Sequence, residues 1–152
     1  MPTDQAEGGA GHRHLHRTLE IVHLAEQLAV GGTRAVAAGH GYEVVGVDVN
    51  PSVVETINQG KIHIVEPELD QIVKEVVRTG NLRAVSKPEQ ADAFFVVVPT
   101  PFKQNHRADI TYVESATRSV IPYLREGNLF VIESTSPVFT TERMAEVIYK
   151  ER

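Results

Sequence analysis

The stretch Gly41-Tyr-Glu-Val-Val-Gly-Val-Asp48 is a short run rich in valine that ends in a single carboxylate. In an open parallel sheet the strand ends face the ligand crevice. An acid ending the second strand can accept both hydroxyls of an adenosine ribose while repelling a 2′-phosphate. On this reading Asp48 binds a dinucleotide cofactor and favours NAD over NADP. A plainer reading carries equal weight: Asp48, Asn50 and Pro51 are turn formers that lead the chain out of a strand and cap the next helix.

Downstream the pattern is regular. Pro51 opens a helix that runs to about Gln59, with proline in the first turn and Gly60 just past the end. A second helix follows Val65. Glu66-Pro67-Glu68 sets acids and a proline at its start, and Leu69, Ile72, Val73, Val76 and Val77 form one apolar stripe before Gly80. Leu82 to Val85 reads as a short strand and Pro88 to Ala91 as a turn or a single helical turn. Ala93-Phe-Phe-Val-Val-Val98 reads as an apolar strand covered on both faces, as in parallel sheets. A polar loop from Pro99 to Asp109 leads to a helix over Thr111 to Leu124 that buries Val113, Ala116, Val120, Ile121 and Leu124. Leu129-Phe-Val-Ile-Glu133 is another expected buried strand, and Thr140 to Lys150 a last helix whose partner strand would lie past Arg152. Strands alternating with helices predict an α/β, Rossmann-like, doubly wound parallel sheet.

Upstream the signal is weaker. Thr33 to Gly39 suits a helix after Gly31-Gly32, while Leu19 to Val30 suits a helix and Leu19 to Leu24 suits a strand equally well. The first 18 residues, rich in Gly, His and Arg, have no hydrophobic period and read as a weakly ordered leader.

The 152 residues fit one domain and are short for a protein that holds both a cofactor and a substrate domain. A net charge of −5 and a pI near 5.8 leave no basic field for phosphate backbones, so no nucleic-acid partner is expected on electrostatic grounds. No apolar run reaches the roughly 18 residues that span a bilayer. Asp4 and Glu7 stand where a signal peptide carries basic residues, so a cytoplasmic protein with no membrane partner is expected. With no cysteine, disulfides, thiolate metal sites and thiol nucleophiles are excluded within these residues. His12, His14, His16 and His23 are imidazoles that suit zinc, nickel or copper. The first three share a face only in an extended segment and no acid or thiolate completes a set, so no metal site is expected.

Five ordered segments, Val47-Asp-Val-Asn50, Gly60-Lys-Ile-His-Ile-Val-Glu-Pro-Glu-Leu69, Val98-Pro-Thr-Pro-Phe102, Asp109-Ile-Thr-Tyr-Val-Glu-Ser115 and Glu133-Ser-Thr-Ser-Pro137, together resemble the UDP-glucose/GDP-mannose dehydrogenase family. The resemblance covers Thr33 to Arg152, within the family's N-terminal NAD-binding domain. The His63-Ile-Val-Glu-Pro67 and Pro99-Thr-Pro-Phe102 forms look more like its N-acetylmannosamine branch than its UDP-glucose branch. The resemblance implies an NAD-dependent UDP-sugar 6-dehydrogenase that oxidises a C6 hydroxyl to a carboxylate in two steps, through a thiohemiacetal on a cysteine. Its product would feed surface-polysaccharide synthesis, and full-length members would be homo-oligomers. By the same resemblance Asp48 binds the adenosine ribose, Thr100 contacts the cofactor, Thr135 holds the catalytic water beside the nicotinamide, and Ser134 is a further cofactor-binding residue. Thr100 and Thr135 follow expected strands, so their hydroxyls emerge at the carboxyl edge, able both to donate and to accept. As bare residues, Thr100 also reads as a loop cap, and Ser134 and Thr135 as a strand end or helix cap. His63 reads as a packing residue and the stretch from Lys103 to Arg107 as a solvated loop.

The chain departs from the family pattern at its start. Spacing from Asp48 puts the family's Gly-x-Gly-x-x-Gly turn at Ala25-Glu-Gln-Leu-Ala-Val30, where there is no glycine. Side chains there keep backbone N–H groups from a pyrophosphate, and Glu26 adds like charge. Residues 1–32 are therefore expected to be an atypical leader not descended from the family's N-terminus, and residues 33–152 a partial NAD-binding domain with its phosphate grip absent or weak. The strand so lost is the sheet's central one. A marginal domain follows unless Leu19 to Leu24 or Leu28 to Val30 is recruited in its place. Phe139 stands where the family pattern has glycine, in Ser-Pro-Val-Gly-Thr-Thr. With the catalytic cysteine and the substrate domain expected past Arg152, the 152-residue chain is expected not to turn over. The rival of another class is a stand-alone nucleotide-binding or regulatory module.

Overall fold

The computed structural model describes residues 18–22, 38, 40–61, 67–103 and 108–152. Five parallel strands form one sheet: β1 (Thr18–Val22), β2 (Glu43–Val47), β3 (Leu82–Val85), β4 (Ala93–Val96) and β5 (Leu129–Ile132), in the order β3-β2-β1-β4-β5. The helices are α1 (Pro51–Asn58), α2 (Pro67–Arg78), α3 (Thr111–Val120) and α4 (Thr140–Glu151). The doubly wound α/β architecture is the one the alternating pattern predicts.

The central position is filled by Thr18–Val22, inside the stretch expected to be a leader. Residues Thr18–Val22 pair with β2 in the register Leu19↔Val44 and with β4 in the register Ile21↔Phe95. Of the two candidate replacements, the segment beginning at Leu19 is the one recruited. Leu28 to Val30, the rest of the expected 33–39 helix apart from Ala38, and the residues aligned with the glycine turn lie outside the described residues, as do His12, His14, His16, His23 and His63.

Successive side chains of a strand point to opposite faces, and β4 separates two cores by that rule. Phe94, Val96 and Val98 pack with Val113, Ala116, Val120 and Met144 from α3 and α4. Val97, with Phe95 beside it, packs on the other face among Val44, Val53, Ile57, Val73, Val76 and Leu82, beneath α1 and α2. The expectation that β4 is covered on both faces holds. The same expectation fails for β5, where Leu129 is 56% exposed and Phe130 to Ile132 are half-buried. Among the described residues β5 pairs only with β4, and an edge strand has fewer neighbours to cover it.

Local chemistry sets the element ends. Asn50 caps α1 through its side-chain oxygen, which accepts from Ser52 N–H at 3.0 Å, and Pro51 occupies the first helical turn. At the other end Gly60 has φ +69°; its N–H reaches Ile57 O and the Lys61 N–H reaches Thr56 O, a Schellman closure. Pro122 cuts the helix expected to reach Leu124: α3 stops at Val120 and a 3-10 turn covers Ile121–Tyr123. The outer edge of β3 is closed by a side chain, since the Asn58 amide donates to Ala84 O at 2.9 Å and accepts from Ala84 N–H at 2.8 Å.

Candidate functional site

The carboxyl ends of β2, β3, β4 and β5 all open on one edge of the sheet, where order reversal about β1 leaves a crevice. Asp48 follows β2 directly. Its backbone N–H donates to Val85 O at 3.1 Å and its side-chain oxygen accepts from Asn50 N–H at 2.8 Å. Only 1% of the residue is exposed. The turn-forming reading of Asp48 is therefore realised in the structure, and its carboxylate is covered.

Past β4, Thr100 donates its hydroxyl to Thr135 O at 2.6 Å. The Ser134 hydroxyl accepts from Val98 N–H at 2.8 Å. These two bonds continue the β4–β5 ladder beyond its backbone pairs and tie together the two loops that carry the site residues. Thr100, Ser134 and Thr135 thus come together, whereas Asp48 stands two strands away. Asp109 starts the next helix by accepting from the Thr111 N–H and hydroxyl. Those bonds, with Lys103 behind them, hold its carboxyl below the ordinary range.

Two cavities lie on this edge. The first, about 360 Å³, is bounded by Val47 and Val49 at the end of β2, Ser86, Lys87 and Pro88 past β3, Val98 past β4, and Tyr112, Ser115, Ala116 and Ser119 on α3. Its walls are apolar with three serine hydroxyls and one ammonium, the composition of a small-molecule site. The second, about 930 Å³, holds Thr100 and Thr135 together with Phe102, Val138, Phe139 and Arg143. Sequence reading passed over the first cavity. Its signal was the spacing of Tyr112, Ser115, Ala116 and Ser119 at i, i+3, i+4 and i+7, a helix face of mostly small side chains beside the face that packs.

Phe139 is the one non-glycine residue at positive φ among the described residues, with φ +70° and ψ +9°, and it is 72% exposed at the start of α4. The left-handed backbone accounts for glycine in the family pattern at this place. No helix among the described residues is long and apolar enough to cross a membrane, and no group of three or more metal-ligating side chains occurs among them.

Residues 29–152 match the family model described as UDP-glucose/GDP-mannose dehydrogenase family, NAD binding domain. The chain belongs to this family. The UDP-N-acetyl-D-mannosamine dehydrogenase of Yersinia pestis is 53% identical over 120 residues, covering 79% of this chain and 29% of its own length. The NDP-N-acetyl-D-galactosaminuronic acid dehydrogenase of Ralstonia nicotianae is 50% identical over 137 residues, covering 90% and 32%. Among solved structures, the UDP-N-acetyl-mannosamine dehydrogenase of Staphylococcus aureus superimposes with a TM-score of 0.78 at 34% identity, over 88% of this chain and 32% of that one. The chain thus spans about a third of the length of the relatives it matches. The family is the one the five motifs resemble. β1 precedes the stretch that the family model matches.

NAD, the cofactor of this family's domain, fits the first cavity at its adenosine end. Val47, Val49, Pro88 and Val98 offer apolar surface to the faces of a purine, and Ser86, Ser115 and Ser119 offer hydroxyls to its ring nitrogens and amine.

Proposed function

We propose that this chain is the NAD-binding part of a nucleotide-sugar 6-dehydrogenase that acts on an N-acetylated hexosamine, UDP-N-acetyl-D-mannosamine first, and oxidises the C6 hydroxyl to a carboxylate. The observation that carries this reading is the identity of about half over 120 residues or more with enzymes of that type, joined to a purine-sized cavity at the sheet's switch point. The N-acetylgalactosamine nucleotide is the second substrate reading, favoured by the relative whose match extends over 90% of this chain.

The residues divide the work along the crevice. The first cavity takes the adenine, and the turn from Asp48 to Asn50 lies beneath its ribose. The covering of Asp48 must shift for that acid to touch the hydroxyls. Thr100 and Thr135 hold the nicotinamide end through the second cavity, with the Thr135 hydroxyl orienting a water and Ser134 keeping β4 and β5 aligned. Bound NAD supplies the hydride acceptor. Residues outside these 152 would provide the sugar site and a thiol, since the chain has no cysteine. The complete enzyme would work in the cytoplasm as a homo-oligomer, where NAD and activated sugars are both available.

Calorimetric titration of NAD into the 152-residue chain tests the reading. Saturable binding in the micromolar to millimolar range is expected, with no NADH formed from UDP-N-acetyl-D-mannosamine for want of a sugar site and, for the second oxidation, of a thiol. A titration with no saturable heat, or turnover by the thiol-free chain, overturns it.

A further inference from the structure

We propose that β5 and the adjoining side of α4 form a self-association surface, on which a second copy of this chain pairs antiparallel, β5 against β5, so that two five-stranded sheets run on as one. The surface lies along an edge of the sheet and not at its carboxyl ends, so it stands apart from the dinucleotide reading.

The two edges of the sheet differ. At β3 the Asn58 amide closes the outer backbone groups of Ala84. At β5 the register leaves them open. The Leu129 N–H donates to Asp92 O at 3.1 Å and the Glu133 N–H to Val96 O at 3.0 Å, so Leu129, Val131 and Glu133 turn their backbone toward β4. Phe130 and Ile132 turn theirs outward, two N–H and two C=O groups that no described residue bonds. Such a row is a template for another strand. The side chains agree: all four residues of β5 are apolar and none of them is buried.

β5 is itself complementary to this edge about a two-fold axis at Val131. Phe130 then meets Ile132 of the second copy, and Ile132 its Phe130, each pair exchanging two backbone hydrogen bonds. The two Val131 side chains stand about 5 Å apart on the face away from α3 and α4. On the helix face the two α4 helices come side by side, antiparallel. Ion pairs from Arg143 to Glu114 and from Arg118 to Glu151 fix which side of α4 looks toward α3. The side turned away carries Thr141, Ala145, Ile148 and Arg152, at i, i+4, i+7 and i+11. Antiparallel pairing sets Ala145 against Ile148 of the second copy, and Arg152 beside its Thr141 and Glu142. An acid in the first turn of α4 and a base at its end thus match head to tail, and this charge match selects a second copy over an unrelated strand.

Sedimentation of the 152-residue chain tests the proposal, with three samples: the native chain, Val131→Lys and Val131→Glu. The native chain is expected to show a monomer–dimer equilibrium in the micromolar range. Either substitution sets like charges against each other across the axis and should weaken the dimer by about tenfold or more. An equal mixture of the two variants should recover it as a heterodimer, because the charges are then opposite. Amide exchange of Phe130 and Ile132 in the native chain should slow as concentration rises, a readout that needs no variant. A chain that sediments as a monomer throughout the micromolar and low millimolar range would leave β5 to a strand from elsewhere and overturn the proposal. So would a dimer that both substitutions leave intact, or exchange at Phe130 and Ile132 that ignores concentration. Failure of the mixture to recover, with thermal melts showing both variants folded, would overturn the pairing at Val131.

Discussion

Replacing Phe139 by glycine and, separately, by alanine reads the backbone strain at the start of α4 directly. Phe139 sits at φ +70° and ψ +9°, where a side chain with Cβ crowds the following carbonyl at a cost of about 1–2 kcal/mol. The ring is 72% exposed, so both replacements lose the same small amount of covered apolar surface, and that loss cancels in the comparison. What remains is the left-handed penalty, carried by alanine and not by glycine. Against it stands the extra freedom of glycine in the unfolded chain, worth about 0.5–1 kcal/mol in favour of alanine. The difference leaves Phe139→Gly more stable than Phe139→Ala by about 0.5–1 kcal/mol, or about 1–4 °C in melting temperature for a chain of this size. At an ordinary helical position the sign is opposite. Urea unfolding of the two variants with a shared m-value measures the difference, and Phe139→Ala equal to or more stable than Phe139→Gly refutes the reasoning.

Two further predictions concern the other side of the sheet. Asn58→Ala leaves the N–H and C=O of Ala84, a buried residue, without their side-chain partner, and should cost about 1–3 kcal/mol in denaturant unfolding. A loss under about 0.5 kcal/mol would mean that water replaces the amide without penalty. Glu89 is held below its ordinary pKa by the Arg83 guanidinium, which donates to both carboxylate oxygens at 2.6 and 2.9 Å. A depressed folded-state pKa stabilises above the unfolded carboxyl value of about 4.3, and the stabilisation is lost as pH falls through the folded value. Both side chains are about 40% exposed, so Glu89→Gln should cost about 0.5 kcal/mol at neutral pH and nothing near about pH 3. A penalty of equal size at both pH values would assign the effect to something other than the ion pair.

Several elements were legible because their causes are local. The proline and glycine that bracket α1, the apolar stripe of α2 and the unbroken Phe94 to Val98 run each state their structure within a dozen residues. The overreach at β5 has the opposite cause. Leu129 to Ile132 is as apolar as a central strand, and only its place at the end of the sheet, a fact of topology, leaves Leu129 in solvent. The site divides in the same way. Thr100, Ser134 and Thr135 each follow a strand, so their place past its carboxyl end was legible from the strand alone. The cavity between Val49, Lys87 and Ser119 unites three elements far apart in sequence, and no single segment announces it. Asp48 was legible in two senses at once, and the Asn50 N–H on its carboxylate shows the turn-forming sense in force.

The central strand separates two demands that the family pattern usually joins. A parallel ladder uses backbone N–H and C=O groups, so a five-residue extended segment with side chains that tolerate burial can stand between β2 and β4, whatever its lineage. Thr18–Val22 meets that demand through its backbone and makes nine register pairs, five with β2 and four with β4; Thr18 opposite Asp92 is joined by a side-chain and a backbone hydrogen bond instead. A pyrophosphate asks something else of the residues just after the strand: bare backbone N–H groups within hydrogen-bonding reach, which only glycines at set positions leave open. The sheet can thus be complete although Ala25 to Val30 carries no glycine. Affinity for the cofactor then rests on the adenosine cavity, and 5′-AMP should retain most of the affinity that NAD has for this chain.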